Sequence, residues 1–274
     1  MNWSRVLTVT RTDLKQLMQA RDFWGPMVIL GLLFFVILPA ILLSLITVVG
    51  SVRIVSQVSE TLDVLPIESQ EQLAGTSPKG WTAYALAVFL FAPVAVVVPL
   101  TISTAVGAAT IVGERERGTG EFLANSPAAV REIYMGKLLA SLIPGYMTTA
   151  IGFGLYALVV NITVGPEVGG WFFPTAQWWV MILWVLPPFL AICLSLVLRL
   201  SAKVQSTAAA QQASGLISLP LIMIAYSQAT GVLLGAGWVP FVLGGFAWMI
   251  ALVSLRRGMR SVQRSRLLGV AGGI

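Results

Sequence analysis

The densest cluster of chemically capable side chains lies between Gly113 and Lys137. It reads Gly113-Glu114-Arg115-Glu116-Arg117-Gly118-Thr119-Gly120-Glu121-Phe122-Leu123-Ala124-Asn125-Ser126-Pro127, then Arg131-Glu132-Ile133 and Gly136-Lys137. Four carboxylates share this stretch with four cations. Thr119 can cap a helical turn through Glu121, Phe122 and Leu123, and Ser126-Pro127 can stop that turn and start another. Such a turn presents Phe122 and Leu123 inside a rim of Glu114, Arg115, Glu116, Arg117 and Glu121. An apolar centre that fills a groove and a charged rim that fixes register make a docking knob. Gly118-Thr119-Gly120 is not a phosphate cradle, because the Gly-x-x-x-x-Gly-Lys-Ser/Thr pattern is missing.

Other chemistries are thinly supplied. The sequence contains no His, which excludes a Ser-His-Asp triad, an imidazole relay and any His-containing metal site. Its one Cys, Cys193, sits in an apolar run, so neither an intrachain disulfide nor a Cys-x-x-Cys pair exists. The long uncharged stretches hold no ionisable side chain. That weighs against a cation-driven carrier, a carboxylate metal site and an intramembrane protease or acyltransferase, each of which needs a buried charge or base. What remains there is uncharged polarity. Thr101, Thr104, Ala105 and Ala108 share one helical face, as do Gln205 and Gln212. Read from the residues alone, this is interhelical packing and hydrogen bonding worth about 1–2 kcal/mol each. Asn161-Ile162-Thr163 matches a glycosylation acceptor, but at the end of an apolar stretch it reads as a chance match.

The elements that position these residues follow from where charges are absent. Of 274 residues 57% are hydrophobic and 10% charged, and the charges fall into short runs separated by stretches longer than the roughly 20 residues that cross a bilayer core. Six passes fit: residues 23–49, 81–112, 138–163, 178–198, 205–225 and 238–255. The second would be about 48 Å long as a straight helix, so it has to tilt, kink at Pro93 or Pro99, or extend beyond the lipid. Pro187 and Pro188 should bend the fourth. Gly231, Gly235, Gly237 and Pro240 mark the turn that splits the long final run into the fifth and sixth. The expected fold is an all-α membrane protein with a transmembrane domain over 23–255, an outer loop at 50–80 and a 2–3 loop at 113–137.

Fifteen of the 17 basic residues fall on one side of this map, in the N-terminal segment, the 2–3 loop, the 4–5 loop and the tail at 256–274. The positive-inside rule then puts both termini in the cytoplasm. The net charge of +6 is a membrane-orientation signal and implies no nucleic-acid partner. Trp81, Trp171, Trp178, Trp179 and Trp238 fall near the outer interface and Trp24 near the inner one, as an aromatic belt. Residues 1–22 form an amphipathic segment with Trp3, Val6, Leu7, Leu14, Leu17 and Met18 on one stripe and Arg5, Thr8, Arg11, Lys15 and Gln19 opposite, a helix expected to lie on the membrane surface. No cleavable signal peptide is read from it.

At the 2–3 loop the chain resembles the ATP-binding-cassette type-2 exporter permeases, in particular the small six-span branch with sodium-efflux-like and drug-exporter-like members (type V exporter-like). The residues that carry the resemblance are Gly113, Glu114, Arg115, Glu116, Gly118, Thr119, Glu121, Leu123, Pro127, Arg131, Glu132, Ile133, Gly136 and Lys137. Gly120 and Ala124 depart from it, replacing a bulky aliphatic and the second Leu of the turn. The resemblance implies that the 2–3 loop is a cytoplasmic coupling helix, with Glu114, Arg115, Glu116, Gly118, Thr119, Glu121, Phe122, Leu123 and Pro127 as its ATPase-coupling residues. It also implies a separate ABC ATPase subunit that binds the ATP and Mg, a second permease subunit, identical or related, and a path bounded by the first, second and fifth spans, which makes Thr101, Thr104, Ala105, Ala108, Gln205 and Gln212 candidate pathway-lining residues.

The chain itself is then a permease with no catalytic residue, no metal and no cofactor of its own, in a prokaryotic plasma (inner) membrane. Walls of Leu, Val, Ile, Phe and Trp with scattered hydroxyls suit an amphipathic or hydrophobic cargo such as a drug, a peptide or a lipid. The alternatives are ATP-driven sodium or ion efflux, and a secondary carrier.

Overall fold

A computed structural model of the chain describes residues 1–49, 76–91, 93–116, 125–201, 209, 212 and 238–261. Every regular element among them is helical. We label these α1 (Trp3–Gln19), α2 (residues 21–49), α3 (residues 78–90), α4 (Val94–Glu116), α5 (Val130–Thr163), α6 (Gly165–Val168), α7 (residues 176–201) and α8 (Val239–Ser261). Five stretches are long and apolar enough to cross a membrane: Trp24–Val48, Pro78–Thr110, Val130–Thr163, Ala176–Ser201 and Val239–Met259. They match the first, second, third, fourth and sixth expected passes. The expected fifth, at 205–225, lies outside the described residues except for Ala209 and Gln212, both helical.

Helix α5 is the central post, touching α1, α2, α4 and α7, while α7 also packs on α4 and α8. Thr110 of α4 lies against Lys137 of α5 and Pro99 against Gly145, so the two helices run antiparallel. They cross closely at Gly145, where an added Cβ would sit 2.7 Å from Pro99 O. In contrast, α7 and α8 run parallel: the Trp184 indole N–H donates to Phe241 O (3.1 Å) and, further along both, Ser195 Oγ to Ser254 O (3.1 Å). The α2 face carrying Ile29, Leu33, Ile37, Ile41, Leu45 and Val48 is exposed, as is much of α8. Lipid or another subunit covers apolar surface of this kind.

Three turns of π-helix precede prolines. Leu33–Ile37 comes before Pro39, Leu86–Leu90 before Pro93, and Met181–Val185 before Pro187 and Pro188. A proline ring clashes with the carbonyl four residues back, and a widened turn relieves that clash while shifting bonds to i−5. Accordingly Leu38 N–H bonds Leu33 O, Phe91 N–H bonds Leu86 O, and Leu186 N–H bonds Met181 O. The second pass breaks at Phe91–Pro93, whereas Pro99 stays inside α4. Two carbonyls released by the break are recovered from other helices. Tyr156 OH donates to Ala87 O (2.6 Å) and the Trp178 indole N–H to Val88 O (2.9 Å). Both rings belong to an aromatic cluster with Phe91, Phe153 and Phe173. Trp178 is therefore a core residue and not part of an interfacial belt, while Trp171, Trp179 and Trp238 are exposed.

The Asn161 amide is consumed inside the fold. Its Oδ1 accepts the backbone N–H groups of Phe172 and Phe173 (3.0 and 3.1 Å), and its Nδ2 donates to Phe173 O (2.6 Å) and Ala157 O (2.8 Å). A buried amide with all four bonding positions filled offers nothing to a glycosyl transfer.

Candidate functional site at the junction of α1, α4 and α5

Helix α1 begins at Asn2, whose side chain accepts Ser4 N–H (3.1 Å), an N-cap that satisfies one orphan donor. Beyond it the surface divides into three faces. Val6 and Thr10 are buried against α5, flanked by half-buried Val9, Asp13 and Leu17. The next face, with Trp3, Leu7 and Met18, is apolar and exposed. The third carries Arg5, Thr8, Arg11, Thr12 and Lys15. The apolar stripe of the sequence is thus split. Val6 and Leu17 turn toward the protein together with two polar residues, and the remainder is free to meet lipid. A helix that needs apolar, polar and protein surroundings on three sides fits the margin of a membrane bundle.

Docking of α1 depends on a missing side chain. A Cβ on Gly136 would stand 2.7 Å from both Cβ and Cγ1 of Val9 and 3.1 Å from Val6 O, inside van der Waals contact. Thr10 Oγ1 donates to Val6 O (2.9 Å) and lies 3.1 Å from Gly136 O. The next residue carries the main polar contact. Lys137 is fully buried, and its Nζ donates to Thr110 O on α4 (2.7 Å) and to Asp13 Oδ2 on α1 (3.4 Å). The Asp13 side chain is only 8% exposed, so this ion pair is shielded from water. Removing one member of a water-shielded ion pair typically costs about 3–5 kcal/mol.

A second set of contacts holds the residues just before α5. Glu132, in the first turn, accepts Ala129 N–H (2.9 Å) and Asn2 N–H (2.6 Å). Ala129 has no side-chain acceptor, so this is the glutamate half of a capping box. Arg5 donates to Pro127 O (2.8 Å) and stands 3.7 Å from Glu132 Oε2. Since Arg5 is half exposed, the charge contribution there is modest, about 0–1 kcal/mol. The α5 side of the segment 117–129 is therefore fastened to α1 through Arg5–Pro127 and Asn2–Glu132, while α4 is fastened near its end to Lys137 of α5, which in turn pairs with Asp13 of α1.

The sequence-derived coupling residues fall around this junction. Glu114, Arg115 and Glu116 belong to the last turn of α4, which continues four residues past the expected end of the second pass. Pro127 is exposed and held by Arg5. Gly118, Thr119, Glu121, Phe122 and Leu123 lie outside the described residues. The stretch from Arg131 to Lys137 is not loop but the first two turns of α5. Among the pathway candidates Thr101 is exposed, and its hydroxyl bonds Val97 O (2.8 Å). Thr104 is buried with its hydroxyl on Leu100 O (2.7 Å), and Ala108 is buried beside Val112 and Val197. Gln212 is exposed, and Gln205 lies outside the described residues. Sequence reasoning missed Asn2, Thr10 and Asp13. They are polar residues on a docked face, and a hydrophobicity wheel assigns such residues to water.

Among the described residues no cluster of three or more Cys, Asp or Glu side chains could hold a metal ion. A shallow groove of about 550 Å³, lined by Met1, Ala129, Val130, Arg131, Glu132 and Met259, lies beside the junction. Among curated proteins no relative matches the chain. A family model described as ABC-2 family transporter protein matches residues 7–239, from within α1 to the start of α8. Covering well over half of the 274 residues, that match shows that this multi-pass membrane protein belongs to the ABC-2 transporter family.

Proposed function

We propose that the chain is the permease subunit of an ATP-driven exporter, with the segment between α4 and α5 docking on a separate ABC ATPase subunit at the cytoplasmic face. The observation that carries this reading is the double fastening of that segment. A loop that receives a mechanical stroke transmits it only if its ends are rigid; here the α5 end is bonded to α1 through Asn2 and Arg5, and α4 is bonded near its end to Lys137 of α5, which also pairs with Asp13 of α1. Family membership supports the rest, since ABC-2 permeases are membrane subunits that work with an ATPase. ATP and Mg are then bound by that partner. The parallel course of α7 and α8 favours six passes, because two parallel neighbours need a return crossing between them. An even number of passes leaves both termini on the cytoplasmic side, where positive charge accumulates.

Two permeases would enclose the path. Thr101 and Gln212, exposed on this chain, and Gln205 remain its candidate lining residues, whereas Thr104 and Ala108 are packed inside the subunit. The apolar exposed row of α2 suits a second permease, and the mostly apolar surroundings suit an amphipathic or hydrophobic cargo.

Co-expression with a candidate ABC ATPase subunit tests the reading. A stable complex should form, and Glu114→Arg or Phe122→Asp should abolish both assembly and ATPase coupling. Unaltered assembly and coupling in both variants would refute the docking role. Proteoliposomes separate the cargo classes: stimulation of ATPase activity by amphipathic compounds supports the proposed cargo, and stimulation by sodium alone replaces it with ion efflux.

A further inference from the structure

We propose that the buried Asp13–Lys137 pair, together with the Lys137 bond to Thr110 O, is the positioning element that makes α1, α4 and α5 move as one body when the ATPase acts. This inference rests on the permease reading above and adds to it the residues that transmit the stroke. Three facts converge on Lys137. It is fully buried although it is a lysine, a state that is rare unless the side chain is paired. Two of its partners lie on two different helices, a carboxylate on α1 at 3.4 Å and a carbonyl near the end of α4 at 2.7 Å. Its own helix begins directly after the segment assigned to docking.

Apolar contact alone would let these helices slide, because dispersion and burial have little direction. An ammonium that must aim N–H groups at both an Asp13 oxygen and the Thr110 carbonyl fixes the axial position of each helix relative to the others. Gly136 brings α1 close enough for that geometry, since any side chain there would collide with Val9. Asp13 and Lys137 are thus positioning residues; neither needs to touch nucleotide or cargo.

The discriminating variant is the double substitution Asp13→Leu with Lys137→Met. Replacing a buried ion pair by apolar side chains commonly preserves stability, so a merely structural pair would leave transport intact. The positioning role predicts that the double variant folds and assembles with the ATPase subunit while transport per ATP hydrolysed, measured in proteoliposomes, falls roughly tenfold. Milder changes accompany it: Asp13→Glu, which keeps the charge pair, should retain the wild-type ratio, and Asp13→Asn should lose it. Wild-type transport per ATP in the double variant, or equal ratios for Asp13→Glu and Asp13→Asn, would overturn the inference and leave the permease reading standing. Failure of the unaltered chain to assemble with any ABC ATPase would overturn that reading and this inference with it.

Discussion

Gly136→Ala should loosen α1 without unfolding the bundle. The new Cβ would lie 2.7 Å from two carbons of Val9, whereas unstrained carbon contacts settle at about 3.5–4.0 Å, so α1 has to retreat by about 1 Å. That retreat takes Thr10 Oγ1 out of bonding range of Gly136 O, now 3.1 Å away, although its 2.9 Å bond to Val6 O within α1 survives. It also stretches the 3.4 Å Lys137–Asp13 contact beyond the roughly 4 Å of an ion pair. Overpacking of this kind costs about 1–3 kcal/mol. At about 2 kcal/mol the undocked population of α1 rises roughly thirtyfold. Hydrogen exchange on the full chain in lipid nanodiscs, with no ATPase present, reads that population from the α1 amides. Gly154→Ala is the control: it lies on the same helix with no heavy atom within 4 Å of its added Cβ. Faster exchange confined to α1 in Gly136→Ala and absent from Gly154→Ala is the expected result. Unchanged α1 exchange in Gly136→Ala, or equal loosening by both substitutions, would refute the docking argument.

Tyr156→Phe and Trp178→Phe each strip a donor from a carbonyl at the α3–α4 break and should each lower stability by about 1–3 kcal/mol; thermal denaturation in detergent measures it, and unchanged midpoints would contradict the assignment. Asn161→Ala leaves two N–H groups and a carbonyl of Phe172–Phe173 unpaired, a loss of about 2–5 kcal/mol. The residues before Pro174 should then become protease-sensitive, and continued resistance would argue against the pinning role. Thr101→Val, at an exposed position, is expected to change cargo-stimulated ATPase activity and Thr104→Val, buried inside the subunit, to leave it unaltered. Equal responses would remove Thr101 from the path.

Charge spacing made the passes legible, because an apolar stretch of sufficient length has few ways to be solvated other than by lipid. Five of the six expected stretches appear as helices, four with nearly the expected bounds and the third beginning at Val130 and not at Leu138. The kink was legible only as one alternative to tilting or to extension beyond the lipid, with Pro93 and Pro99 as its possible sites. The choice falls on Pro93 because Tyr156 and Trp178, 63 and 85 residues further along the chain, supply donors to the carbonyls released there, and no local pattern encodes that. Lys137 read as one more positive-inside cation at a loop end, and its complete burial depends on Asp13, more than 120 residues earlier. Trp178 read as interfacial for a similar reason: its type suits a membrane surface equally well, and the Val88 carbonyl that draws it inward comes from another helix. Candidate docking residues were legible as a motif, while the fastenings that would make the motif mechanical were not.

The central claim, that the segment between α4 and α5 is where the ATPase docks, is tested most directly by site-specific photocrosslinking in native membranes. A benzophenone amino acid replaces Phe122 in one sample and Trp171, exposed at the opposite end of the bundle, in another. The account predicts an adduct with the ABC ATPase subunit from position 122 and none from position 171. No adduct from position 122, or an ATPase adduct from position 171, would contradict it.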